Sequence, residues 1–152
     1  MALPRRVVSG GQTGVDRAAL DVAIALGIPH GGWCPQGRRA EDGVIPAHYA
    51  LVEHASADYA ARTEANVADA DATLILARGP LSGGTALTRD FARRLQKPFL
   101  IVDLGTGPHP KGVREWLAGH AVDVLNVAGP RESQRPGIGA EARAFLHEVL
   151  AG

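Results

Sequence analysis

Apolar residues in the 152-residue chain form short runs, and these runs predict buried strands. The clearest run is Ala72–Ala77, which is apolar apart from one threonine and lies between Asp71 and Arg78. By the same criterion, strands are predicted at Val7–Val8, Ile28–Trp33, Ala72–Ala77, Phe99–Val102 and Val122–Ala128. Glycine and proline cluster after several of these strands, which predicts shaped loops on a regular scaffold.

Between the strands, apolar residues recur at steps of three and four, which is the spacing of an amphipathic helix. The first such helix begins near Val15 and ends at Gly27. The second covers Tyr59–Ala70, with Asp58 as its N-cap. Three later helices are indicated by apolar residues at Leu87, Phe91 and Leu95, at Val113–Ala118, and at Ala142, Phe145, Leu146 and Val149. Alternating strands and helices predict an α/β protein with a parallel sheet.

Three segments do not fit this alternation. Pro35–Gly43 is polar and too irregular for a helix or a strand, so a loop is predicted there. Ile45–Glu53 fits either a short helical turn or a weak strand. Gly105–Lys111 is rich in turn-forming residues and predicts a rigid exit loop.

Length and charge limit the classes of protein that fit. The length predicts one domain over residues 1–152. Sixteen basic and 16 acidic residues give zero net charge, which argues against nucleic acid and anionic membranes as partners. No apolar run approaches the length of a membrane span. Met1–Arg6 has no apolar signal core and Cys34 is the one cysteine, so a cytoplasmic location is expected.

A glycine-rich turn joins the first strand to the first helix. Such a turn exposes backbone N–H groups at a helix N-terminus, where an anion is stabilised. No lysine follows Gly14, which excludes a P-loop, and Ser9 replaces the first glycine of a dinucleotide fingerprint. The candidate binding residues of this turn are Gly10, Gly11, Gln12, Thr13, Gly14 and Asp16.

A second glycine turn follows the strand Ala72–Ala77 and opens another helix. Its candidate residues are Ser82, Gly83, Gly84 and Thr85. Two strand–glycine–helix units can supply N–H groups from neighbouring loops, enough to hold one phosphorylated ligand from two sides. Arg131 follows Gly129-Pro130 just past the last strand, and it is the best single candidate for an anion clamp.

Further polar residues are predicted near the same edge of the sheet. Helix N-termini lie at the carboxyl edge of a parallel sheet, so Tyr59, Arg62 and Thr63 are expected near the first turn. Asn66 continues that polar face. Arg38 could reach a phosphate from its loop or could be solvated, and the residues leave both open. Cys34 has no metal-spaced partner and is interpreted as structural or as pocket wall.

Together these motifs resemble the molybdenum cofactor carrier family over nearly the whole chain. The segments that carry the resemblance are Ser9–Asp16, Gly32–Pro35, Arg62-Thr63 with Asn66, Ser82–Thr85 and Asn126–Ser133. The resemblance implies a Rossmann-like open parallel sheet with helices on both faces, a homo-oligomer, and a pocket for a phosphorylated pterin or nucleotide. The family's glycine turns and arginine-bearing last loop map onto Gly10, Gly11, Gly14, Gly83, Gly84 and Arg131.

The wider superfamily includes the LOG, or lysine decarboxylase-like, phosphoribohydrolases, and one position departs from their motif. Thr88 stands where those enzymes have the glutamate that takes part in cleavage, and threonine cannot act as a carboxylate.

The first hypothesis is therefore a non-catalytic carrier of molybdenum cofactor (molybdopterin) for a molybdoenzyme acceptor. Its phosphate would rest on Gly11–Gly14 or Gly83–Thr85, with Arg131, Arg62 or Arg38 opposite and with Ser82, Thr85 and Asn126 as neutral partners. No protein side chain is expected to ligate a metal. A nucleotide hydrolase using Asp16 or Glu132, and a nucleotide sensor, are the alternatives.

Overall fold

Five parallel strands form the central sheet of the computed structural model, which describes residues 3–107 and 109–152. These strands are β1 (Arg6–Val8), β2 (His30–Gly31), β7 (Ala72–Ala77), β8 (Phe99–Asp103) and β9 (Val124–Ala128). Their spatial order is β2-β1-β9-β7-β8, so the last strand of the chain lies in the middle of the sheet. Strand β9 therefore separates β1 and β2 on one side from β7 and β8 on the other.

Within the described residues, five α-helices cover the two faces of this sheet. They are α1 (Val15–Leu26), α2 (Tyr59–Asp69), α3 (Gly83–Arg94), α4 (Pro110–Gly119) and α5 (Ile138–Leu150). Helices α1, α4 and α5 share one apolar cluster with the sheet, whereas α2 and α3 pack together around Val67, Phe91 and Ala92. The Rossmann-like α/β arrangement expected from the sequence is confirmed.

The core is built on β7, whose six residues are all buried. Leu74 and Leu76 join the cluster beneath α1 and α5. Their neighbours along the strand point to the opposite face because side chains alternate in a strand. Burial on both faces explains why the strand is a continuous apolar run, as parallel strands usually are.

The sequence interpretation was wrong for the second strand, which was predicted to extend over Ile28–Trp33. It ends at Gly31, because Gly32 has φ +126° and turns the backbone away from the sheet. A Cβ at Gly32 would lie 2.3 Å from the Ser9 carbonyl oxygen, so only glycine fits this turn. Beyond it, β3 (Trp33–Cys34) pairs in parallel with β6 (Val52–Glu53).

The irregular loop predicted at Pro35–Gly43 also needs correction. Its second half forms a small antiparallel hairpin of β4 (Arg39–Ala40) and β5 (Gly43–Val44). The segment Ile45–Glu53, for which helix and strand were both open, contains only the short strand β6. The exit loop predicted at Gly105–Lys111 contains Pro108, which lies outside the described residues.

In the described part of the chain, none of the helices combines the length and apolar character needed to cross a bilayer.

Tyr49 links the segment before β6 to helix α1 through a side-chain hydrogen bond. Its hydroxyl donates a hydrogen bond of 2.6 Å to Asp21 Oδ1, and burial together with Asp21 raises the pKa of Tyr49 to about 12.

The raised pKa predicts a loss of stability at alkaline pH. Between pH 10 and 12 the unfolded tyrosine loses its proton while the folded one keeps it, so the free energy of unfolding falls as pH rises. In Tyr49→Phe this part of the pH dependence is expected to disappear. Urea unfolding of both proteins from pH 9 to 12 measures it, and identical slopes would contradict the prediction.

Candidate functional site

A cleft opens at the carboxyl edge of the sheet, where β1, β7 and β9 end. The N-terminal turns of α2 and α3 and the loop after β9 form its walls, and its volume is about 540 Å³ including the solvent at its mouth. Its polar lining residues are Gln12, Asp16, Tyr59, Arg62, Thr63, Thr85, Thr88, Arg131 and Gln134, with Gly84 and Gly129 between them. A smaller recess behind it reaches Gly10, Asn66 and Asn126. The cleft lies at the switch point of the strand order, where α/β sheets commonly bind ligands.

The first glycine turn is closed by the chain's own carboxylate. Asp16 is only 4% exposed, and its Oδ2 accepts a hydrogen bond from the Gln12 backbone N–H at 3.3 Å. Burial raises the pKa of Asp16, and the nearby Arg62 opposes that rise. The sequence left two positions open for a phosphate, Gly11–Gly14 and Gly83–Thr85. A phosphate on Gly11–Gly14 would be repelled by the Asp16 carboxylate, so the geometry does not favour that position.

Arg62 lies between the turn and helix α2. Its Nη1 is 3.6 Å from Asp16 Oδ2, and burial lowers the pKa of its guanidinium while Asp16 raises it. The guanidinium lies against Gly10, where a Cβ would stand 1.8 Å from Nη1. Gly10 therefore makes room for an arginine of this chain.

Two other glycines allow backbone segments to approach one another. A Cβ on Gly14 would lie 2.4 Å from the Pro130 carbonyl oxygen, and one on Gly129 would lie 2.3 Å from the Leu76 carbonyl oxygen. These contacts bring the loop after β9 against both β7 and the start of α1. They place Arg131 at the mouth of the cleft.

Helix α3 presents an uncapped N-terminus to the cleft. Its N-cap residue Ser82 makes no side-chain capping bond, and the first turn contains no acidic residue. A Cβ on Gly84 would meet nothing within 4 Å, so the approach to this helix end is open. The free N–H groups and the helix dipole make this end attractive to an anion.

Two arginines that line the cleft, Arg62 and Arg131, both approach the ring of Tyr59. The guanidinium carbons of Arg62 and Arg131 each lie 5.8 Å from the centre of the Tyr59 ring. The Arg131 backbone N–H donates to Gln134 Oε1 at 3.2 Å, which fixes the loop that carries the arginine. Because Asp16 opposes the charge of Arg62, the positive charge of the cleft comes mainly from Arg131 and the start of α3.

Several candidate residues have structural partners instead of facing the main cleft. Arg38 donates to the carbonyl oxygens of Ile45, Pro46 and Tyr49, so its guanidinium is committed to holding the 45–51 segment. Gly11 lies under Leu51.

Other candidates hold neighbouring chain segments together. Thr13 hydrogen bonds to Glu41, and the amide of Asn66 bonds to both the N–H and the carbonyl of Trp33. Ser82 borders a separate groove, and Asn126 donates to Thr73 Oγ1 at 3.2 Å. Gly83 has φ +52° at the start of α3.

The sequence interpretation missed Gln134 and left Thr88 out of the candidate site, whereas Tyr59, expected near the first turn, does line the cleft. Thr88 comes four residues after Gly84, and this helical spacing puts both on one face, so a signal was present. Gln134 lies in an irregular loop and gave no comparable signal. Cys34 is buried with Leu20, Ile45 and Tyr49, and burial raises the pKa of its thiol.

The carboxylates considered for hydrolysis also have structural partners. Glu132 accepts hydrogen bonds from the N–H groups of Gly137 and Gly139 at the start of α5. Thr88, which stands in place of the hydrolase glutamate, donates to the Gly84 carbonyl within α3. Asp16 closes the first glycine turn. Across residues 3–107 and 109–152, no three histidine, cysteine, aspartate or glutamate side chains cluster where they could hold a metal ion.

Comparison with known proteins supports the resemblance seen in the sequence. One similar crystal structure is that of a protein named "putative molybdenum carrier protein" from Syntrophus aciditrophicus SB. The two chains are 45% identical, superpose with a TM-score of 0.92, and the match covers 97% of this chain and 95% of that one. Among curated proteins no relative matches. The model of the circularly permutated YpsA SLOG family matches residues 7–150, and the chain belongs to that family.

Proposed function

We propose that this protein binds a phosphorylated pterin or nucleotide and serves as a carrier or store of molybdenum cofactor. The observation that carries the proposal is the open, uncapped N-terminus of α3, with Arg131 lining the same cleft. A helix N-terminus and an arginine are the two protein groups best suited to a phosphate. The similar protein from Syntrophus aciditrophicus SB is named a molybdenum carrier, and that name supports the carrier part of the proposal.

Several residues of the cleft support the binding of a phosphorylated pterin. Gly83, Gly84 and Thr85 begin the helix that would receive the phosphate, and Thr85 and Thr88 add neutral hydroxyl groups. The proposal requires no protein ligand for molybdenum, because the dithiolene of the bound pterin carries the metal as cargo. A molybdoenzyme acceptor and a homo-oligomer belong to the same proposal and rest on the resemblance.

Arg131→Ala is expected to weaken the binding of a pterin monophosphate by about 1.5–3 kcal/mol, because a charged hydrogen bond to the phosphate is lost. Fluorescence titration with neopterin monophosphate measures the change. Arg5→Ala is the matched control, since Arg5 pairs with Asp123 at the opposite edge of the sheet and should leave affinity unchanged. Equal affinity of Arg131→Ala and the original protein would remove Arg131 from the phosphate site.

A further inference from the structure

The floor of the cleft contains two buried polar atoms without hydrogen-bond partners among the described residues. These are Gln12 Oε1 and Arg62 Nε. Gln12 is only 3% exposed, and its Nε2 donates to the Arg39 carbonyl oxygen at 2.9 Å. Because that carbonyl can only accept, the amide orientation is fixed, and Oε1 is left as a buried acceptor without a partner on a residue that lines the cleft.

The charged pair beside Gln12 is also incompletely satisfied. The 3.6 Å between Arg62 Nη1 and Asp16 Oδ2 is too long for a hydrogen bond, so the two groups attract one another without sharing a proton. Asp16 accepts from the Gln12 N–H and also interacts with Ser9 and the Gly10 N–H, and the two oxygens of a carboxylate have acceptor capacity beyond these. The floor therefore offers carboxylate and amide acceptors next to a guanidinium donor.

Buried polar groups are normally paired, and a complementary ligand edge in the cleft would supply the missing partners. The edge must carry at least two donors, for Asp16 and Gln12, and an adjacent acceptor for Arg62. A 2-amino-4-oxo ring has this arrangement, with an amino group and a ring N–H beside a carbonyl oxygen. The Watson–Crick edge of adenine offers an amino donor beside an unprotonated ring nitrogen, which would face the carboxylate with its lone pair.

We infer that Gln12, Asp16 and Arg62 form a subsite for the amino-oxo edge of a pterin or guanine ring, and that they select it over adenine-type and 2-oxo rings. This inference rests on the proposed function and names the ring class that the same cleft would take. The ring end of the cleft is neutral overall, since Asp16 and Arg62 carry opposite charges. The anion end is formed by α3 and Arg131.

A matched pair of unphosphorylated ring compounds tests the subsite separately from phosphate binding by α3 and Arg131. 6-Hydroxymethylpterin carries a 2-amino group, which can donate to Asp16 and Gln12. 6-Hydroxymethyllumazine carries an oxygen at the same position, so an acceptor would face those two acceptors. The purified full-length protein is expected to bind the pterin about tenfold or more tightly than the lumazine, because unpaired acceptors discriminate strongly. Fluorescence titration gives both dissociation constants.

Two variants locate the preference. Gln12→Met removes the Oε1 acceptor at nearly constant side-chain size. Asp16→Asn replaces one carboxylate oxygen with an amide donor. Each variant is expected to reduce the preference for the pterin over the lumazine several-fold. Equal affinities for the two rings, or no binding of either, would overturn the inference. So would a preference unchanged in both variants. In each of these cases, continued binding of neopterin monophosphate would leave the proposed function standing, whereas its loss would overturn both.

Discussion

Replacement of Arg62 by methionine is expected to lower the free energy of unfolding by about 3–5 kcal/mol, because a buried carboxylate loses its counter-charge. Asp16 is 4% exposed and is paired with Arg62 across 3.6 Å. Methionine retains much of the apolar volume of the arginine stem, so the loss would report charge more than packing. Urea unfolding followed by circular dichroism measures the change.

The double variant Arg62→Met with Asp16→Asn is the control for this prediction. It removes both charges, so most of the lost stability should return. A loss below about 1 kcal/mol in the single variant would show that Asp16 does not depend on Arg62, since that is the range of an exposed ion pair.

Gly14→Ala is expected to destabilise the protein by about 3 kcal/mol or more, because it combines a backbone conformation that disfavours side chains with a direct clash. Gly14 has φ +80° and ψ −127°, and its Cβ would lie 2.4 Å from the Pro130 carbonyl oxygen and 2.8 Å from the Glu132 nitrogen. The loop that carries Arg131 would have to move away from α1. Ligand affinity should therefore fall together with stability.

Gly27→Ala separates the two causes. Gly27 ends α1 with φ +70°, but a Cβ there would meet nothing within 4 Å. Its substitution should cost only about 1 kcal/mol, the penalty for a left-handed residue without a clash. Losses of the same size at both positions would mean that the contact between Gly14 and Pro130 is not tight.

The sheet and helices could be predicted from the sequence because the information is local. Ala72–Ala77 is a continuous apolar run, and α1 shows a helical period ended by Gly27, so burial alone fixes both. The two-residue strands could not be predicted in the same way. Trp33–Cys34 leaves the sheet because of the positive φ at Gly32, which an apolar pattern does not reveal.

The candidate site was predictable in outline but not in its contacts. Arg62, Thr85 and Arg131, which the sequence interpretation proposed for one site, all line the same cleft. The sequence could not show that Asp16 closes the first turn. A glycine turn that binds a ligand and one whose N–H groups bond to a carboxylate of the same chain have the same sequence pattern. Arg38 was ambiguous for a similar reason. Its carbonyl partners come from the irregular 45–51 segment, whose conformation no local pattern determines.

The central claim is that the cleft holds a phosphorylated pterin without consuming it. The most direct test incubates the protein with molybdenum cofactor, removes free ligand by gel filtration, and releases the bound fraction by denaturation under oxidising conditions. The account predicts a fluorescent pterin in the protein fraction, reduced in Arg131→Ala, and no free base released from a panel of nucleoside monophosphates. An empty protein fraction together with release of adenine from AMP would contradict it and favour the hydrolase.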